Sequence, residues 1–217
     1  MSATSNVRPE SGGTTENSEA TFEETFSIGE PGRLVLENVR GRVHVVGWDR
    51  PTVHVRATKV RESSSPQRYQ ATRIEAYQQG NTIVVRTVLD RGQLRELRGI
   101  PHPAVAEFVR TLGDLFRLDN TPAEVVYEVH VPRSITLALK GVSSDLHIED
   151  MQGALEVATV SGAIVGAGLG GPLAVQSVSG DARLEGHFEQ IHAKTVSGDV
   201  EVAGPLLQSG DYDFHTV

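Results

Sequence analysis

Val142-Ser143-Ser144-Asp145, Val160-Ser161-Gly162-Ala163, Val178-Ser179-Gly180-Asp181 and Val196-Ser197-Gly198-Asp199 are four versions of one phrase. Their first residues fall at 142, 160, 178 and 196, a constant step of 18; the next match, Val217, comes after 21. A fixed period with matching columns marks a repeat architecture whose units stack on one another. Eighteen residues are too few for a helix-turn-helix repeat, which needs over ~30. They fit two or three short strands per unit. Units stacked by parallel pairing rise about 4.8 Å each, so four of them make a rod only ~19 Å long.

The columns of the repeat predict its inside and outside. Leu146, Ile164, Ala182 and Val200 share one position. Leu155, Leu173, Ile191 and the shifted Tyr212 share a second, and Val157, Val175, Ala193 and Phe214 a third. Glu156, Ala174, His192 and Asp213 alternate with these and are expected to face water. Gly162, Gly180 and Gly198 recur at one corner and Gly168, Gly186 and Gly204 at another, where positive φ or close backbone approach favours glycine. Ser144 and Asp150 stand in the first repeat's corner places, so that unit is expected to turn slightly differently. Thr159, Ser177, Thr195 and Thr216 are expected to stack as a hydroxyl ladder bonded from unit to unit.

Outward from the repeat, residues 21–89 alternate apolar and polar: Phe22, Phe26, Ile28, then Leu34/Leu36, Val43/Val45 and Val53/Val55. Turn residues at 29–32, 39–41 and 47–51 punctuate these runs, and Gly80-Asn81 reads as a two-residue hairpin turn. Residues 61–67, RESSSPQ, read as a polar loop. Over 90–122 the rhythm changes. Val105, Phe108, Val109, Leu112, Leu115 and Phe116 form one apolar helical face behind Pro103. The spacing predicts a covering helix there, since its polar face is not Lys/Arg-rich as in a membrane-surface helix. Residues 1–20 hold almost nothing to bury and read as a disordered tail. The expected division is thus a tail (1–20), N-terminal strands that start the solenoid (21–89), a helical insertion (90–122) and the repeat (123–217).

These residues resemble a known group. The TVSGD-type phrases at Thr195–Asp199 and Ser177–Asp181, with Leu34–Gly41, Val43–Asp49 and Val53–Val55 before them, are similar to the bacterial "putative adhesin" domain family. The resemblance spans 22–89 and 123–217; the segment at 90–122 departs from the family pattern. It implies an all-β, single-stranded β-solenoid (β-helix) with a surface or interaction role. The family has no established catalytic residues, so none is carried over.

Composition and motifs narrow the function classes. The formal net charge is −8, with 20 Lys+Arg against 28 Asp+Glu, which argues against nucleic acid as a partner. There is no Cys, which excludes disulfides and thiolate metal sites. No apolar run approaches the ~20 residues of a membrane span, and the opening residues lack a classical secretory signal. A cytoplasmic location is the default expectation and the cell surface the family-based alternative.

Gly166-Ala167-Gly168-Leu169-Gly170-Gly171 matches G-x-G-x-x-G, but Pro172 and a strand pattern follow where a dinucleotide site needs a helix. Asp145, Asp181 and Asp199 share a column; a shared calcium ion is weighed against simple bonds to backbone donors in each corner, and the latter is expected. His44 and His54 lie on the polar sides of their strands and are expected to be close, while His187 and His192 lie on the repeat. Without H-E-x-x-H or Cys partners no zinc site is expected. Trp48-Asp49 is expected to pack a corner rather than present an aromatic to sugar.

The expectation is a non-enzymatic structural or interaction module without metal, cofactor or catalytic residues. Its partner is a protein or a cell-surface component; the open end of the last unit, with Tyr212 and Phe214, is expected to associate with a second copy, the alternative being a natural chain that continues past Val217. The alternative is a polysaccharide-binding or polysaccharide-acting β-helix protein.

Overall fold

The computed structural model describes residues 21–62, 64–90 and 121–216. In chain order its elements are β1 (Thr21–Ser27), β2 (Arg33–Trp48), β3 (Thr52–Lys59), α1 (Pro66–Ala71), β4 (Thr72–Gln79), β5 (Thr82–Leu89), β6 (Val125–Pro132), β7 (Thr136–Glu149), β8 (Leu155–Thr159), β9 (Ile164–Gly170), β10 (Leu173–Ser177), β11 (Ala182–Thr195), β12 (Val200–Ala203) and β13 (Leu206–Thr216). The protein is all-β. The tail expected over 1–20 and the helix expected at 103–117 lie outside the described residues.

Two ladders run through the sheet. The first takes the early halves of β2 and β7: Leu34 pairs with Ile83 of β5 and with Leu137, Leu137 with Leu155, Leu155 with Leu173, Leu173 with Ile191, and Ile191 with Tyr212. The second takes the late halves of β2 and β7. It runs from β1 through β3 and β6 to Val43, Leu146, Ile164, Ala182 and Val200. From β7 onward the partners in both ladders are parallel and, up to the last unit, 18 residues away, the period of the repeat, except where a register shift in the β9–β11 pairing brings Gly186 opposite Leu169 and His187 opposite Gly170. The last unit keeps 18 at Phe188↔Leu206 and reaches 21 at Gln190↔Asp211, so its three extra residues are taken up between 206 and 211.

The strands β2, β7 and β11 bend and serve both ladders. The pairings β7–β8–β10–β11–β9 therefore close on themselves as a five-stranded barrel with the other strands added around it. Val39-Arg40-Gly41 was expected to interrupt a strand; it is instead the bend inside β2, where Asn38 pairs with Gly141 and Arg40 with Ser143. The interior lies between the ladders and is lined by Leu34, Leu36, Val43, Val45, Leu137, Leu139, Leu146 and Ile148, all fully buried. Burial of each such side chain is worth roughly 1.5–3 kcal/mol against leaving it exposed. The corner valines Val142, Val160 and Val178 are half-buried and Val196 is exposed, so they stand outside this interior.

Corners differ from expectation in detail. Gly41, Gly162 and Gly198 have φ of 122°, 119° and 116°, but Gly180 and Gly186 are not in the left-handed region. Gly180 is required by contact instead: a Cβ there would strike the carbonyl oxygen of Gly162 in the preceding unit. Asp150, expected to turn its unit differently, adopts φ 57°, close to the 65° of its equivalent Gly168. Aspartate is one of the few residues that tolerate this conformation.

Thr159, Ser177 and Thr195 of the hydroxyl column are buried, yet their hydroxyls do not bond from unit to unit. Thr159 donates to the Ser161 carbonyl, Ser177 to that of Gly180 and Thr195 to that of Ser197, each within its own corner. The hydroxyl pair that crosses units is Ser143–Ser161 at 3.2 Å. The Gly80-Asn81 hairpin is present, with Gln79 opposite Thr82 and Gly80 at φ 60°. Within the expected polar loop, Pro66 starts α1, capped by Ser65 through a bond from the Arg68 amide.

Candidate functional site

Alternation along the second ladder sends Val43, Val45, Val53, Val55, Leu146 and Ile148 inward. It thereby sends the residues between them to one outer face. Rungs of this face can be read from the register. One rung runs Glu23, Arg56, Glu128, His44, His147, Val165, Arg183, Glu201, across β1, β3, β6, β2, β7, β9, β11 and β12. The neighbouring rung runs Thr25, His54, His130, Val46, Glu149, Ala167. Seven strand spacings of about 4.8 Å make this face ~34 Å across.

Four histidines fall on these two rungs. His44 and His54, expected to be close, are separated by β6; each instead meets another histidine. The His54 and His130 ring centroids are 6.3 Å apart, and those of His44 and His147 6.4 Å. His54 Nδ1 is bonded to the Thr25 hydroxyl at 2.9 Å and its Nε2 lies 3.4 Å from Glu23. His44 Nε2 lies 3.2 Å from Glu149 Oε1. The buried Nδ1 of His130 makes no hydrogen bond. Its ring packs on Trp48 with centroids 5.2 Å apart, while the Arg50 guanidinium sits 4.9 Å from the Trp48 centroid. Trp48 Nε1 donates to the Thr52 carbonyl at 2.7 Å, so the tryptophan is a corner-packing residue.

Charged groups on this face are paired along the rungs. Arg56 lies 3.9 Å from Glu128 and Arg183 2.8 Å from Glu201. The Glu201 hydrogen bond holds the Arg183 guanidinium above its ordinary value. The Asp column is bonded to the next unit rather than to its own corner. Asp145 accepts from the Ala163 amide at 3.1 Å and Asp181 from the Asp199 amide at 2.9 Å, each 18 residues on. The glycine-rich run at 166–171 spans the end of β9 and the turn into β10, and a strand follows it. Among the described residues, no three His, Asp or Glu side chains form a group that could hold a metal ion. No described helix is long and apolar enough to cross a membrane.

No protein-family model matches this chain, and no curated protein does. The solved structures similar to it include the following three. A putative cell adhesion protein from Clostridium sporogenes is 7% identical with a TM-score of 0.46, covering 91% of this chain and 100% of its own. A putative adhesin from Bacteroides fragilis is 11% identical with a TM-score of 0.31, covering 92% and 98%. A putative lipid binding protein from Parabacteroides distasonis is 10% identical with the same score of 0.31 and the same coverage. Likeness at this level transfers no residue role to this chain.

His44 and His54 stand out in the sequence, whereas His130 and His147, which are their ring partners, do not. The signal was available only through register. His147 is the equivalent of Val165 by the 18-residue period, whereas its pairing with His44, 103 residues earlier, follows no repeat.

Proposed function

We propose that this protein is a non-enzymatic β-solenoid module that presents the outer face of its second ladder to a protein or cell-envelope partner. The 18-residue parallel register in both ladders supports the solenoid reading. The observation that carries the functional reading is the composition of the face. Four imidazoles, Val46, Val126 and Val165 stand on it, with Val165 39% exposed. Charged pairs cross both outer faces, Arg33–Glu156 and Lys140–Glu37 on the first and Arg56–Glu128 and Arg183–Glu201 on the second, but the second also carries the paired imidazole rings. Interface cores are depleted in charge and enriched in ring and apolar groups, which favours the second ladder. Because strands rather than loops carry these groups, their spacing is fixed before a partner arrives, which lowers the cost of ordering on binding.

A photo-crosslinking residue at Val46, on the second ladder, and another at Ala158, on the first, test this reading. Exposure to envelope and cytosolic fractions of the source organism is expected to give a discrete protein adduct from position 46 and none from 158. The absence of a discrete adduct at 46, or equal labelling from both, would overturn it. Retention of glycans that is lost in Trp48→Ala would favour the polysaccharide alternative instead. The engagement of the Trp48 ring by His130 and Arg50 argues against that outcome.

A further inference from the structure

We infer that the second ladder's outer face takes a cationic protein surface, one bearing several Lys or Arg side chains, which it holds near neutral pH and releases on mild acidification. This rests on the reading of that face as a docking surface and names the chemistry of its partner. The argument begins with the charges of the two rungs. They carry Glu23, Glu128, Glu149 and Glu201, and Glu185, which pairs with Ala203 of β12, prolongs the second rung. Against these five carboxylates stand two guanidiniums, Arg56 and Arg183, so the formal excess is three negative charges. Both guanidiniums are committed, to Glu128 at 3.9 Å and to Glu201 at 2.8 Å. On the adjoining rung Arg42 and Asp145 are register partners and cancel. The net charge of the whole chain, −8, has the same sign as the face.

Glu23 and Glu149 face imidazoles instead of guanidiniums. Glu23 lies 3.4 Å from His54 Nε2 and Glu149 3.2 Å from His44 Nε2. Their side chains are 58% and 54% exposed, open to a cation from outside. β1 and β7 are four strand spacings apart, ~19 Å, so one side chain does not reach both carboxylates, whereas a surface carrying several cations does. Complementary potentials of this kind select the partner and speed its arrival.

The same imidazoles supply the release. Histidine is the side chain that ordinarily changes charge between about pH 5 and 8, while carboxylates stay ionised down to about pH 4. His44 is faced by Glu128 from β6 and by His147 and Glu149 from β7, with Arg42 beside it on β2. His54 is faced by Glu23 and Thr25 from β1 and by His130 from β6, with Arg56 beside it on β3. His147 has Asp145 and Glu149 beside it on β7, His44 across on β2 and Val165 on β9. Imidazolium at these three positions cancels the excess, and two of the three engage the carboxylates that a cationic partner needs. His130 is left out of the count: its buried Nδ1 makes no hydrogen bond, so a proton there has no acceptor, and its ring lies on Trp48, which Arg50 covers.

A fluorescein-labelled lysine octapeptide, ~26–29 Å long when extended, is the probe. Its binding to the full chain is read by fluorescence anisotropy at about pH 7.5 and about pH 5.5, at ~0.01 M salt, where screening is weak. Affinity is expected to fall roughly tenfold at the lower pH, the loss of two or three exposed charge contacts. Glu23→Gln/Glu149→Gln should weaken binding at the higher pH by a similar factor. His44→Gln/His54→Gln/His147→Gln should bind equally at both, and His187→Gln/His192→Gln should keep the full fall. Circular dichroism verifies the fold of each variant, and Glu149→Gln alone, with part of the loss, serves if the double variant does not fold. Absence of binding, equal affinity of the parent at both pH values, undiminished binding in Glu23→Gln/Glu149→Gln, or an unchanged fall in the triple histidine variant would each overturn the inference. The peptide does not depend on the natural partner, so its failure and that of the crosslink at position 46 are read separately.

Discussion

Gly180 sits in ordinary backbone territory, yet there is no room for a side chain on it, because the Gly162 carbonyl of the preceding unit occupies the Cβ position. Gly162 combines the same crowding, against the Ser144 carbonyl, with a φ of 119°. Gly80, at φ 60°, has open space around it. These three glycines separate two physical causes. Gly180→Val is expected to destabilise by more than the ~1 kcal/mol of an ordinary glycine propensity change, through contact alone. Gly162→Val should cost more again, by the roughly 1–3 kcal/mol of a strained backbone. Gly80→Asn should be nearly neutral, since Asn tolerates positive φ. Urea unfolding of the three variants gives the order; equal midpoints for Gly180→Val and the parent would remove the contact argument.

The bend in β2 is the element on which the two ladders turn, and Asn38 pins it. Its Nδ2 donates to the Val125 carbonyl of β6, its Oδ1 accepts from Thr87 of β5, and its own carbonyl accepts from Ser144 of β7. Thr87 also bonds the buried Tyr127 hydroxyl at 2.7 Å, and burial pushes that phenol well above its ordinary range, so it stays neutral. Asn38→Ala leaves buried partners unmet and should cost about 1–3 kcal/mol; Tyr127→Phe, which removes one bond, should cost about 1 kcal/mol. Chemical denaturation measures both, and a neutral Asn38→Ala would mean that the bend is held by packing alone. This element also marks how far a sequence can be read. The columns from Leu146 to Phe214 were legible because each unit repeats its neighbour, so register follows from period. The bend at 39–41 looked like a turn because Gly41 is a turn residue in one dimension; only the pairing of Asn38 with Gly141 and Arg40 with Ser143 shows the strand continuing through it. The helix α1 was missed although Ser65-Pro66 is a cap followed by a first-turn proline, because six residues carry too little periodicity to be seen. The histidine face is hidden for a related reason: His54, His130 and His44 stand on β3, β6 and β2, which lie outside the exact period, and His147 of β7 alone lies within it.

Across the whole molecule the free edges are unequal. β1 pairs only with β3 among the described strands and carries Glu23 and Glu24, charges of the kind that discourage further pairing. Among the described strands β13 pairs with β11 alone, and it leaves Phe214 53% exposed, as Val196 of the preceding corner is at 47%. The 217-residue chain is therefore expected to self-associate through β13, and light scattering across a concentration series measures it. Tyr212→Lys/Phe214→Lys should abolish association while the earlier units stay folded, since stability in stacked repeats is largely a nearest-neighbour matter. A parent that remains monomeric at high micromolar concentration would contradict this expectation.

The parallel register also sets how the molecule would come apart under tension. Each unit is fastened to the next by hydrogen bonds that point along the stacking direction, so a pull applied along that direction loads them a few at a time, as in a zipper. One unit releases 18 residues, at most about 60–65 Å of extended chain, and the final unit, with its 21-residue step, about 70–75 Å. Force spectroscopy should therefore show a staircase of nearly equal lengths that begins with one longer tread, a mechanical signature in which the period of the sequence becomes a ruler.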